Sequence, residues 1–266
     1  MTEAPIAFGT SSTENGLLGT GGDASVIDKV QISGAVEHGI ELYNQSGAFG
    51  LTISNSTIGS NNTTTGSDGV LIETQGTSTG TININNNTFS SNKSQAIQVA
   101  AIDSSTANLT INGNTITRGT QGNEGIVVSN GFNADLVTSI TNNTISGFGG
   151  VSIFAGQTPG NANSGSLLYA TISGNQITTS NTASNHAILA SLTSTSGQTS
   201  LARLVINNNT VTQNSNAGMA GIFVGTPDSL RTPDFHVAVT NNHVDVTNNA
   251  AGLRGIVVQA SRGTGH

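Results

Sequence analysis

Two glutamates, Glu41 and Glu73, are the residues whose type and spacing come closest to a catalytic pair. They lie in equivalent segments, GIELY (39–43) and GVLIE (69–73), with an offset of two residues. If the two segments are neighbouring strands, this offset places the carboxyl groups roughly 7–8 Å apart. An inverting glycosidase holds its general acid and general base at such a separation. Tyr43 is close to both and completes the candidate catalytic set.

The same residues also have a simpler interpretation as ordinary surface acids. The chain holds 14 Asp and Glu, most of which must lie on some surface, so two acids near each other are unremarkable as a pattern. The sequence also shows no catalytic-triad spacing, phosphate-binding loop or zinc-ligand pattern. We therefore predict no catalytic residues and no cofactor, and we keep Glu41, Glu73 and Tyr43 as the alternative.

The elements that must position these residues come from a repeat of about 30 residues. One motif is small–apolar–x–apolar, as in GIVV (125–128), and the other is LTINGNTI (109–116), in which two apolar residues precede an Asn-rich turn. Self-similarity at a fixed period with strand-like alternation predicts a β-solenoid. Asn and Gly tolerate the left-handed backbone that tight corners need. We expect about eight coils of three short strands each.

Stacked coils place equivalent asparagines above one another, about 4.8 Å apart. Side-chain amides at this spacing can hydrogen-bond along the stacking axis, as in cross-β structures. We therefore predict a structural asparagine ladder rather than a glycan or ion site. Its members are Asn87, Asn114, Asn143, Asn175, Asn209 and Asn242.

The alternating GIxV and xIxNNxI segments resemble the PbH1-type repeats of right-handed parallel β-helices, a fold shared by pectate lyases, phage tailspikes and many bacterial surface proteins. The resemblance covers roughly residues 26–260 and implies an all-β, single-stranded right-handed parallel β-helix. Residues 1–25 are then a lead-in or cap, and residues 261–266 are a tail. The long Asn/Thr/Gly-rich period is most similar to the β-strand-repeat regions of large secreted or surface-anchored bacterial proteins.

In the enzymes that this chain resembles, the active site is a groove on an outward strand face. Here the first outward column is expected to contain Glu41, Leu71, Gln98, Val127, Ser152, Leu189, Phe223 and Val257, and the second Tyr43, Glu73, Ala100, Ser129, Phe154, Ser191, Gly225 and Gln259. Neither column contains the Arg or Lys base of pectate lyases, and their clustered calcium carboxylates are missing too. Calcium binding stays open but unsupported, and no other metal is expected.

The later part of the first column is apolar, since it contains Val127, Leu189, Phe223 and Val257. An exposed aliphatic stripe can mark a partner-binding surface, although neighbouring loops could instead fold over it. The loops that vary most, 156–166, 180–186 and 226–235, are the expected ligand-binding regions. The final strand leaves an open apolar end, which indicates either a fragment of a longer solenoid or end-to-end self-association.

Composition excludes several classes of partner. Only 8% of the residues are charged, and seven Lys and Arg stand against 14 acids, so nucleic acid is not expected. No apolar run is long enough to span a membrane, and the chain has no cysteine. Regular outward threonines such as Thr52 and Thr110 also resemble ice-binding solenoids, a third hypothesis. The favoured prediction is a non-catalytic extracellular or cell-surface module that serves as an adhesin-like element, stalk or scaffold of a larger protein or end-to-end assembly, and a surface glycan or a protein is its candidate ligand. The alternative is a polysaccharide hydrolase or lyase.

Overall fold

The computed structural model describes residues 6–8, 25–59, 68–119, 123–157, 165–180, 185–191, 201–214, 219–225, 234–247 and 252–259. These residues form three parallel β-sheets of nine, eight and eight strands. No helix occurs in this part of the chain, and so none is long and apolar enough to cross a membrane. Each coil contributes one strand to each sheet in turn, which is the arrangement of a β-solenoid.

The strands fall into three sets. Sheet A contains β1 (Ile6–Phe8), β4 (Ile40–Asn44), β7 (Val70–Thr74), β10 (Gln95–Ala101), β13 (Glu124–Asn130), β16 (Ile153–Gln157), β19 (Ile188–Ser191), β22 (Ala220–Gly225) and β25 (Arg254–Gln259). Sheet B contains β2 (Ser25–Asp28), β5 (Ala48–Ser54), β8 (Thr79–Asn85), β11 (Thr106–Asn112), β14 (Asp135–Thr141), β17 (Leu167–Ser173), β20 (Leu201–Asn207) and β23 (Asp234–Thr240). Sheet C contains β3 (Gln31–Ser33), β6 (Thr57–Gly59), β9 (Thr88–Ser90), β12 (Thr115–Thr117), β15 (Thr144–Ser146), β18 (Gln176–Thr178), β21 (Thr210–Gln213) and β24 (His243–Val246).

The predicted fold class is confirmed as an all-β parallel solenoid with three strands per coil. The prediction was about eight coils. The three sheets contain nine, eight and eight strands, so the coil number differs slightly from the prediction. Ile6–Phe8, inside the predicted lead-in, form a strand that pairs with Ile40–Leu42. The predicted tail, 261–266, lies outside the described residues, and the domain boundaries stay a prediction.

The core is a stack of aliphatic side chains that point inward from all three sheets. In one coil, Ile126, Val128, Ile140 and Ile145 are at most 1% exposed. Burial of each such side chain stabilises the fold by about 1.5–3 kcal/mol. Outward positions on sheets B and C are often threonine, a good strand former on a solvated face. The alternation of apolar and polar residues therefore fixes which face of each strand lies inside.

The corner between sheets B and C depends on left-handed backbone. Asn142 has a φ of 55°, and Gly113 and Gly174, at the same corner of the neighbouring coils, have a φ of 68°. Asn and Gly are the residues that adopt this conformation at least cost. The following residue is the predicted ladder asparagine, and its side chain points into the corner. The corner sequence thus supplies both the turn and the hydrogen bonds that join the coils.

The predicted asparagine ladder is confirmed. The Nδ2 and backbone N–H groups of Asn114 both donate to Oδ1 of Asn143, at 3.0 and 2.9 Å. Asn143 donates in the same way to Asn175 and also reaches the carbonyl oxygen of Ile111, at 3.0 Å. The pattern runs without interruption through Asn87, Asn114, Asn143, Asn175, Asn209 and Asn242.

One predicted register is wrong. In the coil that contains β16, Phe154 and not Ser152 pairs with Val127 and Leu189, so Phe154 belongs to the first outward column of sheet A. Gly156 takes the place that Phe154 was predicted to fill in the second column. Val151 is only 2% exposed, so both registers bury an apolar residue there, and local alternation alone does not choose between them.

Candidate functional site

The outer face of sheet A holds the candidate site. Its first column contains Glu41, Leu71, Gln98, Val127, Phe154, Leu189, Phe223 and Val257. Its second column contains Tyr43, Glu73, Ala100, Ser129, Gly156, Ser191, Gly225 and Gln259. The two columns run parallel to the solenoid axis and change character along it, from acidic to apolar.

The acidic part of the face contains the predicted pair. Glu41 pairs with Leu71, and Tyr43 pairs with Glu73, so the two glutamates have the two-residue offset that the sequence indicates. Glu41 is only 7% exposed and accepts a hydrogen bond from the Tyr43 hydroxyl. Glu73 accepts a hydrogen bond from Nε2 of Gln75 at 2.6 Å. Each carboxyl group is therefore already bonded within the chain.

Burial has the largest effect on the pKa values of Glu41, Glu73 and Tyr43. It raises the pKa of Glu41 above the ordinary carboxyl value, against the opposing effects of His38 and the Tyr43 hydrogen bond. Burial also raises the pKa of Glu73 and, together with the charges of both glutamates, that of the Tyr43 phenol. A glycosidase pair needs one carboxyl protonated and the other ionised, hence pKa values that are pushed apart. Here both glutamate pKa values move in the same direction.

A line of polar side chains precedes the strands of sheet A and ties neighbouring coils together. Asp68 Oδ1 accepts the backbone N–H of Gln95 at 2.8 Å, and Gln95 Nε2 donates to Glu124 Oε2 at 2.7 Å. His38 Nδ1 accepts the Asp68 N–H at 3.2 Å and lies 3.4 Å from Asp68 Oδ2. Burial opposes protonation of His38, but the hydrogen bond and charge of Asp68 outweigh it and raise the histidine pKa.

His186 takes the equivalent structural place several coils further along. Its Nδ1 accepts the Ala220 N–H at 2.9 Å, and burial lowers its pKa. Its ring stacks on Phe223, with centroids 4.6 Å apart and an interplanar angle of 22°. His38 and His186 thus both accept a backbone hydrogen bond from the next coil. Within the described residues, no group of three or more His, Asp or Glu could hold a metal ion.

The apolar part of the face is a half-buried stripe formed by Val127, Phe154, Leu189 and Phe223. Val257 continues the register and is also half-buried. Phe154 is the member that sequence reasoning missed. The repeated Phe-x-Gly sequences FAG (154–156) and FVG (223–225) are the signal that could have revealed it. The loops expected to bind a ligand lie largely outside the described residues.

Small second-column residues leave room beside the stripe. A Cβ atom added at Gly225 would lie 2.7 Å from Cε1 of the Phe223 ring, and one at Gly156 would lie 2.8 Å from Cζ of Phe154. Each phenylalanine ring therefore extends over the glycine two residues later. From Ala100 onward the second column contains only small residues until Gln259. The surface is therefore lower along the second column than along the first, and this difference forms a step that runs parallel to the solenoid axis.

The outer face of sheet B carries the threonine column that suggested ice binding. Thr52, Asn83, Thr110, Ser139 and Thr171 are in register, but Val205 and Ala238 replace the hydroxyl pattern further on. A shallow groove at that end is lined by Arg203, Val205, His236 and Ala238, among others. The Arg203 guanidinium lies 5.5 Å from the centroid of the Tyr169 ring. The threonine array is therefore short.

Comparison with known proteins supports the architecture. Residues 8–116 match the family model described as the right handed beta helix region. This match covers less than half of the chain, and the described residues as a whole form a parallel β-solenoid. The parallel sheets of the β-helix continue beyond the matched segment to Gln259. No curated protein and no solved structure matches the chain.

Proposed function

We propose that this β-helix is a non-catalytic extracellular module that binds a surface glycan along the outer face of sheet A. The observation that carries the proposal is the half-buried stripe of Val127, Phe154, Leu189 and Phe223, with the step of small residues beside it. A contiguous apolar stripe on a strand surface is typical of a binding site. The extracellular setting is supported by the resemblance of the Asn/Thr/Gly-rich period to the repeat regions of secreted or surface-anchored bacterial proteins.

The geometry of the stripe favours a linear ligand. Phe154 and Phe223 occur two coils apart in one column, which corresponds to about 10 Å along the axis. Aromatic rings at such intervals can pack against the apolar faces of successive sugars, while hydroxyl and amide groups such as Ser129, Ser191 and Gln98 fix orientation. A polysaccharide would therefore lie parallel to the solenoid axis, beside the first column.

The acidic cluster supports the non-catalytic assignment. Glu41 and Glu73 are each bonded to a neighbouring side chain, and burial raises both of their pKa values. Neither column contains an Arg or Lys. The two columns therefore lack the cationic base expected of a lyase.

A glycoside hydrolase that uses Glu41 and Glu73 is the second candidate. The offset of the two carboxyl groups on paired strands, roughly 7–8 Å by strand geometry, is the observation that favours it. In that reaction one glutamic acid would protonate the leaving oxygen, and the other carboxylate would activate water. Tyr43 would position Glu41.

One experiment separates the two candidates. Purified chain is incubated with polygalacturonate, xylan and mixed-linkage β-glucan, and both retention on the polysaccharide and release of new reducing ends are measured. The proposal predicts retention on at least one polymer with no product. Product that disappears in both Glu41→Gln and Glu73→Gln would establish the enzyme and overturn the proposal; neither retention nor product would contradict both candidates.

A further inference from the structure

The shallow groove on the outer face of sheet B belongs to a different sheet from the apolar stripe and has no role in the proposed function. It lies between the paired strands β20 and β23 and has a volume of about 300 Å³. Its lining residues are Arg203, Leu204, Val205, His236, Val237 and Ala238. Ligand pockets in proteins have volumes of roughly 300–1,000 Å³, so the groove has room for a small organic molecule.

One wall of the groove carries a cation. Arg203 is exposed, and it is the only Lys or Arg in the eight described strands of sheet B. In three earlier strands, the same outward column holds Gly50, Thr81 and Asn108. The column therefore changes from uncharged small or polar residues to a guanidinium group along the solenoid.

The ring of Tyr169 holds this guanidinium group against the sheet. Tyr169 pairs with Arg203 across β17 and β20, and its side chain is half-buried. The guanidinium carbon of Arg203 lies over the Tyr169 ring, 5.5 Å from the centroid. A guanidinium group is attracted to an aromatic face, and its planar fork is then already ordered when an anion arrives. Tyr169 is thus a positioning residue for Arg203.

The charge of Arg203 is not neutralised within the chain. Among the described residues, Arg203 forms no ion pair. Asp234, on the neighbouring strand β23, lies 3.0 Å from Nε2 of His236 instead. Because a guanidinium group matches the geometry of a carboxylate, an external carboxylate can form a bidentate pair with Arg203.

The rest of the groove is small and apolar. Val205 is 38% exposed, and Ala238 pairs with it on β23. A ligand body that covers these two side chains removes apolar surface from water, which stabilises the complex. The ligand that matches both parts of the groove therefore has a carboxylate at one end and a compact apolar body.

We propose that this groove binds a small organic carboxylate. The carboxylate accepts a bidentate pair of hydrogen bonds from Arg203, and the apolar body packs on Val205 and Ala238. For a ligand with a single ring, one such pair and this limited contact area give a dissociation constant on the order of a few millimolar. The site is separate from the stripe on sheet A and does not depend on the proposed function.

The test uses benzoate as the probe and benzamide as its uncharged counterpart of the same shape. Binding of each to the full 266-residue chain is measured by saturation-transfer NMR titration. The wild type should bind benzoate at least tenfold more tightly than benzamide. Arg203→Gln should abolish this preference, and Arg203→Lys should restore only part of it, because an ammonium group lacks the planar fork.

Two control variants separate this site from other effects. Arg254→Gln removes the same charge from an exposed position on β25 of sheet A and should keep the preference for benzoate. Phe154→Ala alters the stripe of the proposed function and should keep it as well. Circular dichroism verifies that every variant is folded.

Each result bears on the proposal directly. A preference for benzoate that is lost in Arg203→Gln and kept in both controls supports it. Equal affinity for the two probes, or no benzoate binding by the wild type, would overturn it. A preference that survives Arg203→Gln would place the site elsewhere, and one that is lost equally in Arg254→Gln would reveal a general charge effect; either result rejects the groove as the carboxylate site.

Discussion

At the residue scale, the two adjacent asparagines of the corner Asn142–Asn143 have different roles. Asn142 is exposed and supplies the left-handed turn, whereas Asn143 is fully buried and is part of the ladder. The sequence pattern predicted both columns, because Asn and Gly are the residues that this turn tolerates. It did not reveal that Oδ1 of each ladder residue accepts two hydrogen bonds from the preceding coil, since that depends on side-chain orientation.

Replacing a ladder residue should therefore cost far more than replacing its neighbour. Asn143→Ala removes the acceptor of two hydrogen bonds from Asn114 and the donor of the bonds to Ile111 and Asn175, so we expect a loss of about 3 kcal/mol or more in the free energy of unfolding. Asn142→Gly should change it by only about 0.5 kcal/mol, because glycine serves at Gly113 and Gly174. Urea denaturation measures both, and equal losses would contradict the ladder.

The buried glutamate predicts a pH effect of defined sign. Because the folded-state pKa of Glu41 is raised, the folded chain holds this proton more tightly than the unfolded chain does. Wild-type stability should therefore decline as the pH rises from about 4.5, the ordinary carboxyl value, through the raised pKa of Glu41.

Glu41→Gln removes the buried charge and keeps an acceptor for Tyr43. We expect the variant to melt a few degrees higher than wild type at pH 7 and to differ little from it at pH 4. Melting curves by circular dichroism between pH 4 and 8 check this. A difference that stays the same at every pH would show that burial does not control this carboxyl group.

At the element scale, strand register determines which side chains form the binding face. The small–apolar–x–apolar motif located most strands of sheet A, but it misplaced β16, because Val151, Ile153 and Ala155 are all buried and either register satisfies the local alternation. Only pairing with β13 and β19 brings Phe154 into line with Val127 and Leu189. Gln75, which binds Glu73, was missed because it lies just beyond the end of its strand.

The glycines in the second column should be needed for binding. Gly225→Ala puts a Cβ 2.7 Å from the Phe223 ring, which must then move. We expect about tenfold weaker binding to the polysaccharide that retains the wild type, equivalent to about 1.4 kcal/mol. Val137→Ala, on the outer face of sheet B and away from the stripe, is the control. Unchanged affinity in Gly225→Ala would show that the ring does not contact the ligand.

At the scale of the whole molecule, one architecture supports two kinds of surface. The ladder and the aliphatic core repeat through successive coils, so they give a rod whose stability is roughly a sum of coil and interface contributions. The outer face of sheet A varies along the axis, from the bonded acids of β4 and β7 to the apolar stripe of β13 to β22. The sequence repeat predicted the rod because the same positions are buried in every coil. The outer face of sheet A could not be predicted in the same way, because it depends on single residues that do not recur from coil to coil.

The most direct test of the account is affinity electrophoresis in gels that contain polygalacturonate, xylan or mixed-linkage β-glucan. The wild type is compared with Phe154→Ala, Phe223→Ala and Val137→Ala, the last being a control because Val137 is 41% exposed on the outer face of sheet B. We predict that at least one polymer retards the wild type and Val137→Ala, and that both phenylalanine variants migrate freely. Retardation that persists in both phenylalanine variants, or no retardation of the wild type in any gel, would contradict a glycan-binding face on sheet A.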